Sequence, residues 1–176
     1  VVRHAAFSVA GNHIVTASMD KTARLWDTTG QTQAVLKHEG PVYHAAFSPD
    51  GNRIVTASQD KTARLWNIRG HAQVVFRKHT DSVIYAAFSP DGHRIVTASL
   101  DKTARLWDTT GRELAIVNQH TASVEYAAFS SDGNRIVTAS KDGTARLWDT
   151  NGQELAILKG HDGPLYNAAF SAKGEA

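Results

Sequence analysis

Short runs of apolar and small residues alternate with polar turns along the whole chain. In one representative stretch the runs cover Val42 to Ser48, Arg53 to Ser58, Thr62 to Asn67 and Ala72 to Phe76. They are rich in Val, Ile, Thr and aromatic residues, and none is long enough, or spaced at the period of ~3.6 residues, to indicate a helix. The stretch therefore predicts four β-strands.

This pattern is one unit of a repeat. The segment Ala45 to Trp66 recurs at Ala86 to Trp107 with 20 of 22 residues identical, and again at Ala127 to Trp148 and Ala5 to Trp26. Both faces of each predicted strand group carry apolar or small residues, which a single four-stranded sheet cannot bury. Stacking successive copies radially would bury both faces, so the pattern predicts an all-β propeller.

The repeats resemble the WD40 family. The resemblance rests on Trp-Asp pairs such as Trp26-Asp27, the Gly160-His161 dipeptide, the Ser-Pro-Asp-Gly turns and the Asp-x-Thr-x-Arg-Leu-Trp runs, and it covers essentially the whole chain. The second copy departs from it with Trp66-Asn67. The near-identity of the copies is similar to recently amplified bacterial WD40 arrays.

The resemblance implies blades at about residues 1–36, 37–77, 78–118 and 119–159, with a partial fifth blade at 160–176 whose innermost strand runs from Leu165 to Ser171. Since such rings usually have about seven blades, we expect a fragment of a larger ring that begins within a repeat at Val1. Uncovered blade faces and an unpaired last strand lead us to expect either self-association, for example with two chains completing one ring, or marginal folding of the isolated fragment.

A histidine, threonine, aspartate and tryptophan recur together in three repeats. In the WD40 family the matching tetrad is structural, joining indole, hydroxyl, imidazole and carboxylate by hydrogen bonds. In the third repeat the hydroxyl could come from Thr97 or Ser99, and the family spacing favours Thr97. The three tetrads are His38, Thr56, Asp60 and Trp66; His79, Thr97, Asp101 and Trp107; and His120, Thr138, Asp142 and Trp148.

Other candidate chemistry is weak. A nucleophile repeated identically in every blade is unexpected, so we predict no catalytic residues. The nine histidines lack short ligand spacing and cysteine is absent, so we predict no metal and no cofactor. Strand-three arginines (Arg24, Arg64, Arg105 and Arg146) are expected to pack and to bond between blades rather than to contact phosphates.

The positions where near-identical copies differ are the candidates for partner binding. In WD40 propellers they lie towards the top face, around the mouth of the channel. One set precedes the Ala-Ala-Phe run, and the other precedes the turn aspartate. Drift without function remains an alternative at both. The candidates are Tyr43, His44, Ile84, Tyr85, Glu125, Tyr126 and Tyr166 in the first set, and Met19, Gln59, Leu100 and Lys141 in the second.

The function we predict is a non-catalytic scaffold or sensor module of a larger bacterial multidomain protein, presenting a rigid surface to a protein or peptide. The net charge of +2 names no partner, no apolar run could cross a membrane, and the lack of cysteine fits the cytoplasm. The alternatives are an enzyme with a propeller-borne hydrolase site and a nucleic-acid-binding propeller, for which we find less support.

Overall fold

The computed structural model describes residues 1–171, which form four separate four-stranded antiparallel sheets without a helix. Consecutive strands are neighbours in every sheet. Sheet 1 contains β1 (Val2–Phe7), β2 (His13–Ser18), β3 (Thr22–Asp27) and β4 (Thr32–Lys37). Sheet 2 contains β5 (Val42–Phe47), β6 (Arg53–Ser58), β7 (Ala63–Asn67) and β8 (Ala72–Phe76). Sheet 3 contains β9 (Val83–Phe88), β10 (Arg94–Ser99), β11 (Ala104–Asp108) and β12 (Glu113–Val117). Sheet 4 contains β13 (Val124–Phe129), β14 (Arg135–Ser140), β15 (Ala145–Asp149) and β16 (Glu154–Leu158). The predicted all-β class is confirmed.

The first hairpin of each repeat shows why its turn residues are needed. Gly51 has a φ of 71°, a conformation that side chains other than glycine rarely adopt. Ser48 Oγ accepts a hydrogen bond from the Arg53 backbone N–H at 2.9 Å. β5 ends at Phe47, one residue earlier than predicted.

Three apolar cores lie between neighbouring sheets rather than inside them. In the core between sheets 3 and 4, one side is built from Ala98, Leu106 and Val117 of sheet 3. Ile136 and Trp148 of sheet 4 supply the other side, and both are at most 1% exposed. The other two cores have the same arrangement, in which alanine, valine and larger apolar side chains of one sheet pack against the isoleucine and tryptophan of the next.

The segment predicted as the start of the fifth blade lies against sheet 4. The Leu165 N–H donates to Ser140 O at 3.0 Å, and the Arg135 guanidinium lies 5.8 Å from the centre of the Phe170 ring. It forms no β-ladder within residues 1–171, because none of the four sheets includes it. The remainder of the predicted fifth blade, residues 172–176, lies outside the described residues.

Candidate functional site

The innermost strand of each sheet contains a β-bulge at the same repeat position. In sheet 2, Val42 is paired with Ser58 and His44 with the adjacent Ala57, which leaves Tyr43 as the extra residue. The corresponding extra residues are Arg3, Ile84 and Glu125. A bulge bends the strand locally and re-aims a side chain. These four positions are among those where the repeats differ.

The four bulge residues meet in one cleft. It has a volume of about 480 Å³ and is also lined by Leu100, Val1 and Val2. Each sheet thus contributes one bulge side chain to the cleft. Of the predicted partner-binding residues, Tyr43, Ile84, Leu100 and Glu125 are brought together here.

The cleft is charged at two places and apolar between them. The guanidinium of Arg3 lies 5.8 Å from the centre of the Tyr43 ring. Glu125 accepts a hydrogen bond from Ser123 Oγ at 2.6 Å and lies 3.2 Å from Lys141 Nζ. Ile84 and Leu100 supply aliphatic surface. A ligand would therefore meet a cation, an aromatic ring, aliphatic groups and a carboxylate.

The residue after each bulge belongs to a row of neighbouring rings that are tilted relative to one another. The ring centres of His4 and His44 are 4.0 Å apart, those of His44 and Tyr85 are 4.0 Å apart, and those of Tyr85 and Tyr126 are 4.4 Å apart. His44 is only 7% exposed. The row therefore joins the four inner strands, and His44 supports the cleft without presenting its ring to a ligand.

Burial controls the ionisation of this row. Desolvation, followed by repulsion from His4, lowers the pKa of His44 to about 3, so its ring is neutral at pH 7. Nδ1 of His44 has no hydrogen-bond partner among the described residues. Burial and a hydrogen bond with Tyr126 raise the pKa of Tyr85 above its usual range.

The remaining predicted partner-binding residues are exposed but do not line the cleft. Met19 is 39% exposed and Tyr166 is 63% exposed. Gln59 and Lys141 are also exposed. The Lys141 ammonium lies 5.9 Å from the centre of the Tyr166 ring.

The tetrad residues form hydrogen-bonded chains in sheets 2, 3 and 4. In sheet 3, Trp107 Nε1–H donates to Thr97 Oγ1 at 2.9 Å, and Thr97 Oγ1 lies 2.8 Å from His79 Nε2. His79 Nδ1 lies 2.8 Å from Asp101 Oδ2. Thr97 makes the contact with the imidazole, whereas Ser99 Oγ donates to the backbone oxygen of Asp81. The distances in sheets 2 and 4 agree within about 0.1 Å.

The central hydroxyls of the tetrads are buried and hydrogen-bonded. Thr56, Thr97 and Thr138 are 0% exposed, so their hydroxyls cannot reach a substrate. Desolvation alone would raise the pKa values of Asp60, Asp101 and Asp142, but hydrogen bonds from the imidazoles and from the side chains of Thr62, Thr103 and Thr144 hold those pKa values well below the usual range. In sheet 1, Trp26 Nε1–H donates to Thr16 Oγ1 at 2.9 Å, but no described histidine completes the chain.

The expectation that strand-three arginines bond between blades is met by Arg64 but not by Arg105 or Arg146. Of the strand-three arginines, Arg64 donates across to Lys37 O of sheet 1, but Arg105 and Arg146 pair with glutamates of their own sheets. The repeated bridge between sheets comes from strand two, where Arg53 and Arg94 donate to backbone oxygens of the next sheet, each at 2.9 Å. Their guanidinium groups also lie over the phenylalanine rings of that sheet. The recurrence of arginine just after the Asp-Gly turn was the signal that could have revealed this role.

Within residues 1–171, no three or more histidine, cysteine, aspartate or glutamate side chains cluster with the geometry to hold a metal ion. No helix in this part of the chain is long and apolar enough to span a membrane.

Comparison with known proteins identifies the family of the chain. A family model described as the IFT122 first beta-propeller matches residues 1–176. No curated protein matches the chain. The match agrees with the four antiparallel sheets, the apolar cores between them and the repeated Trp-Asp motif. The chain therefore belongs to the IFT122 first beta-propeller family, and its four sheets are blades of a WD40-type propeller.

Proposed function

We propose that this chain is a non-catalytic protein-interaction module of a larger, bacterial, cytoplasmic protein, and that the cleft binds a peptide segment of a partner. The observation that carries the proposal is the convergence of Arg3, Tyr43, Ile84 and Glu125 on one cleft. These side chains occupy bulges, where the chain can vary without changing the strand ladders. Propellers of this family are scaffold-like domains, which agrees with such a role.

The lining of the cleft defines the peptide that it would accept. Tyr43, Ile84 and Leu100 offer an amphipathic and aliphatic surface for one apolar side chain. An acidic group would favour the end at Arg3, and a basic group would favour the end at Glu125. Aromatic anchors of this type dominate the binding energy of interfaces, whereas charges at the rim mainly set orientation and association rate.

The two alternative functions, a hydrolase and a nucleic-acid-binding protein, are supported less well by the residues that line the cleft. A hydrolase would need a reactive group exposed to substrate, but the tetrad hydroxyls are buried, and Glu125 is the sole carboxylate among the residues lining the cleft. A nucleic-acid site would need several phosphate-binding cations, but Arg3 is the only arginine or lysine in that lining.

A peptide selection tests the proposal. A library of random peptides displayed on phage is selected against the intact chain, and the affinity of enriched synthetic peptides is measured by fluorescence anisotropy. We expect Tyr43→Ala to weaken binding at least about tenfold, because it removes the central ring of the cleft. His93→Ala is the matched control, since His93 is exposed at the turn between β9 and β10. We expect this variant to bind the peptides with unchanged affinity.

Two results would contradict the proposal. Peptides that bind equally well to the Tyr43→Ala variant and the parent chain would place recognition elsewhere. Affinity for a single-stranded oligonucleotide that falls steeply with salt, in the absence of selected peptides, would favour the nucleic-acid alternative.

A further inference from the structure

The arginine bridge that joins sheet 2 to sheet 3 has no counterpart between sheets 1 and 2. Arg53, the first residue of β6, makes that bridge by donating to Gly92 O at 2.9 Å. The first residue of β2 is His13, so a shorter side chain occupies the arginine position in sheet 1. His13 Nδ1 lies 3.0 Å from Asn12 Oδ1 of its own turn, and within residues 1–171 no hydrogen bond joins its ring to sheet 2.

A cavity of about 350 Å³ lies at this position, between the first turns of sheets 1 and 2. His13 lines one side and Gly51 lines the other. Gly51 is the repeat equivalent of Gly92, which is buried, whereas Gly51 is only half-buried. A Cβ added at Gly92 would lie 3.4 Å from a terminal nitrogen of Arg53, but one added at Gly51 would meet nothing within 4 Å. The cavity therefore occupies the space that a guanidinium group fills at the next interface.

The groups that hold the guanidinium at the next interface are also present at this one. Gly92 O accepts the hydrogen bond from Arg53, and the equivalent Gly51 O has no donor within residues 1–171. The ring centre of Phe88 lies 5.6 Å from the guanidinium carbon of Arg53. Its equivalent in sheet 2 is Phe47, the last residue of β5, and no cation of the described chain lies over that ring. A carbonyl acceptor and an aromatic face thus recur without their cation.

Two further lining residues favour an alkylguanidinium over other cations. Asp50 is exposed at the rim, and hydrogen bonds from the Ser48 hydroxyl and the Asn52 backbone N–H hold its pKa below the usual range, so it is an anion at pH 7. Ile68 also lines the cavity, where the other three copies have threonine. An aliphatic stem can pack against this side chain. A planar guanidinium can stack on a ring and bond in its plane, whereas an ammonium acts as a point charge.

We propose that the cavity between sheets 1 and 2 binds an alkylguanidinium group of a ligand, such as an arginine side chain. The guanidinium stacks on Phe47 and donates to Gly51 O and to the carboxylate of Asp50, and its aliphatic stem packs against Ile68. The site is separate from the peptide cleft. That cleft lies at the bulges, where the inner strands begin, whereas the cavity lies at the turns that follow those strands. The two sites can therefore be tested independently.

A titration followed by nuclear magnetic resonance tests the site. The probe is N-acetyl-arginine methylamide, added to the intact, nitrogen-15-labelled chain, and the amide signals of Gly51 and Asn52 report on the cavity. We expect saturable shifts of both signals, and we expect the lysine counterpart of the probe to bind at least about tenfold more weakly. Free arginine and agmatine, titrated in parallel, identify the source of the group. Tighter binding of the capped amide indicates a peptide, and tighter binding of a free compound indicates a small molecule.

A variant that fills the cavity from within provides the second test. We expect His13→Arg to weaken binding of the arginine probe at least about tenfold, because its own guanidinium would take the place of the ligand. His93→Arg is the matched control, since it adds the same charge at an exposed turn position, and its affinity for the probe should be unchanged. His13→Arg should also raise the melting temperature by about 2 to 4 °C relative to His13→Lys, since the bridge to sheet 2 is restored. The melting curves also show that both variants are folded.

Three results would overturn the inference: no saturable shift at Gly51, equal affinity for the arginine and lysine probes, or equal affinity of His13→Arg and His93→Arg for the arginine probe. Shifts confined to Tyr43 and Glu125 would also overturn it, because they would place the guanidinium in the peptide cleft, and the proposed function would then still stand. Conversely, a cleft that selects no peptide would leave the shifts at Gly51 unchanged.

Discussion

Replacing Thr97 with valine tests the structural role assigned to the tetrads. Valine has nearly the same shape as threonine but lacks the hydroxyl, so the substitution removes hydrogen bonds without opening a cavity. Thr97 is 0% exposed and contacts both Trp107 Nε1 and His79 Nε2. Both contacts are lost together.

The expected cost follows from the groups left unpaired. The indole N–H of Trp107 loses its acceptor, and Nε2 of His79 loses its donor; these residues are 1% and 6% exposed, so water cannot readily replace the hydroxyl. A buried polar group without a partner costs about 1 to 3 kcal/mol. With two such groups, we expect Thr97→Val to lower the free energy of unfolding by about 2 to 6 kcal/mol.

Urea denaturation followed by circular dichroism at a fixed chain concentration provides the measurement. The matched control is Thr32→Val, since Thr32 is exposed on β4 and makes no side-chain hydrogen bond within the described residues. A surface change of this kind should alter the free energy of unfolding by less than about 0.5 kcal/mol. If Thr97→Val costs no more than Thr32→Val at equal m-values, the tetrad does not stabilise the blade, and the structural reading fails.

Two further predictions concern acid sensitivity and backbone conformation. The folded pKa of His44 is lowered from 6.5 to about 3, so between these pH values the unfolded chain binds a proton that the folded chain excludes, and stability falls as the pH drops below 6.5. His44→Tyr, which copies Tyr85, should reduce the loss between pH 7 and pH 5 by about 2 kcal/mol in parallel urea titrations, and an unchanged pH dependence would contradict this. Gly152 has a φ of 83°, and an added Cβ would lie 2.9 Å from Ile116 O, whereas one at Gly11, with a φ of 69°, would meet nothing within 4 Å. Thermal unfolding should therefore show Gly11→Ala costing about 1 to 2 kcal/mol from backbone strain alone, and Gly152→Ala costing more; equal losses would refute the steric argument.

The repeat period, the apolar runs and the turn residues between them were enough to predict the architecture. The apolar runs of the second repeat predicted strands that agree with β5 to β8 within one residue at each end. The prediction succeeded because each run is bounded by residues with strong turn preferences, and because identical copies must adopt the same local structure.

The arrangement inside the candidate site was not predictable in the same way. The sequence grouped Tyr43 with His44 and Ile84 with Tyr85, as if both members of each pair faced a partner. Side chains alternate along a strand, so only one member of each pair can line the cleft. Even that rule does not show which one, because the bulge that directs Tyr43 and Ile84 into the cleft is a feature of the pairing with the next strand.

The division between constant and variable positions has a physical basis in this geometry. The alanines that follow each variable pair are packed between sheets, with Ala45, Ala86 and Ala127 at 0% exposure, so a larger side chain there would force neighbouring sheets apart. A bulge residue has no direct partner in its ladder and projects into the open cleft, so its replacement disturbs neither a core nor a hydrogen-bonded pair. If the cleft binds a peptide as proposed, the propeller can change what the cleft recognises one blade at a time, while the apolar cores and the tetrads of sheets 2, 3 and 4 hold the inner strands in place.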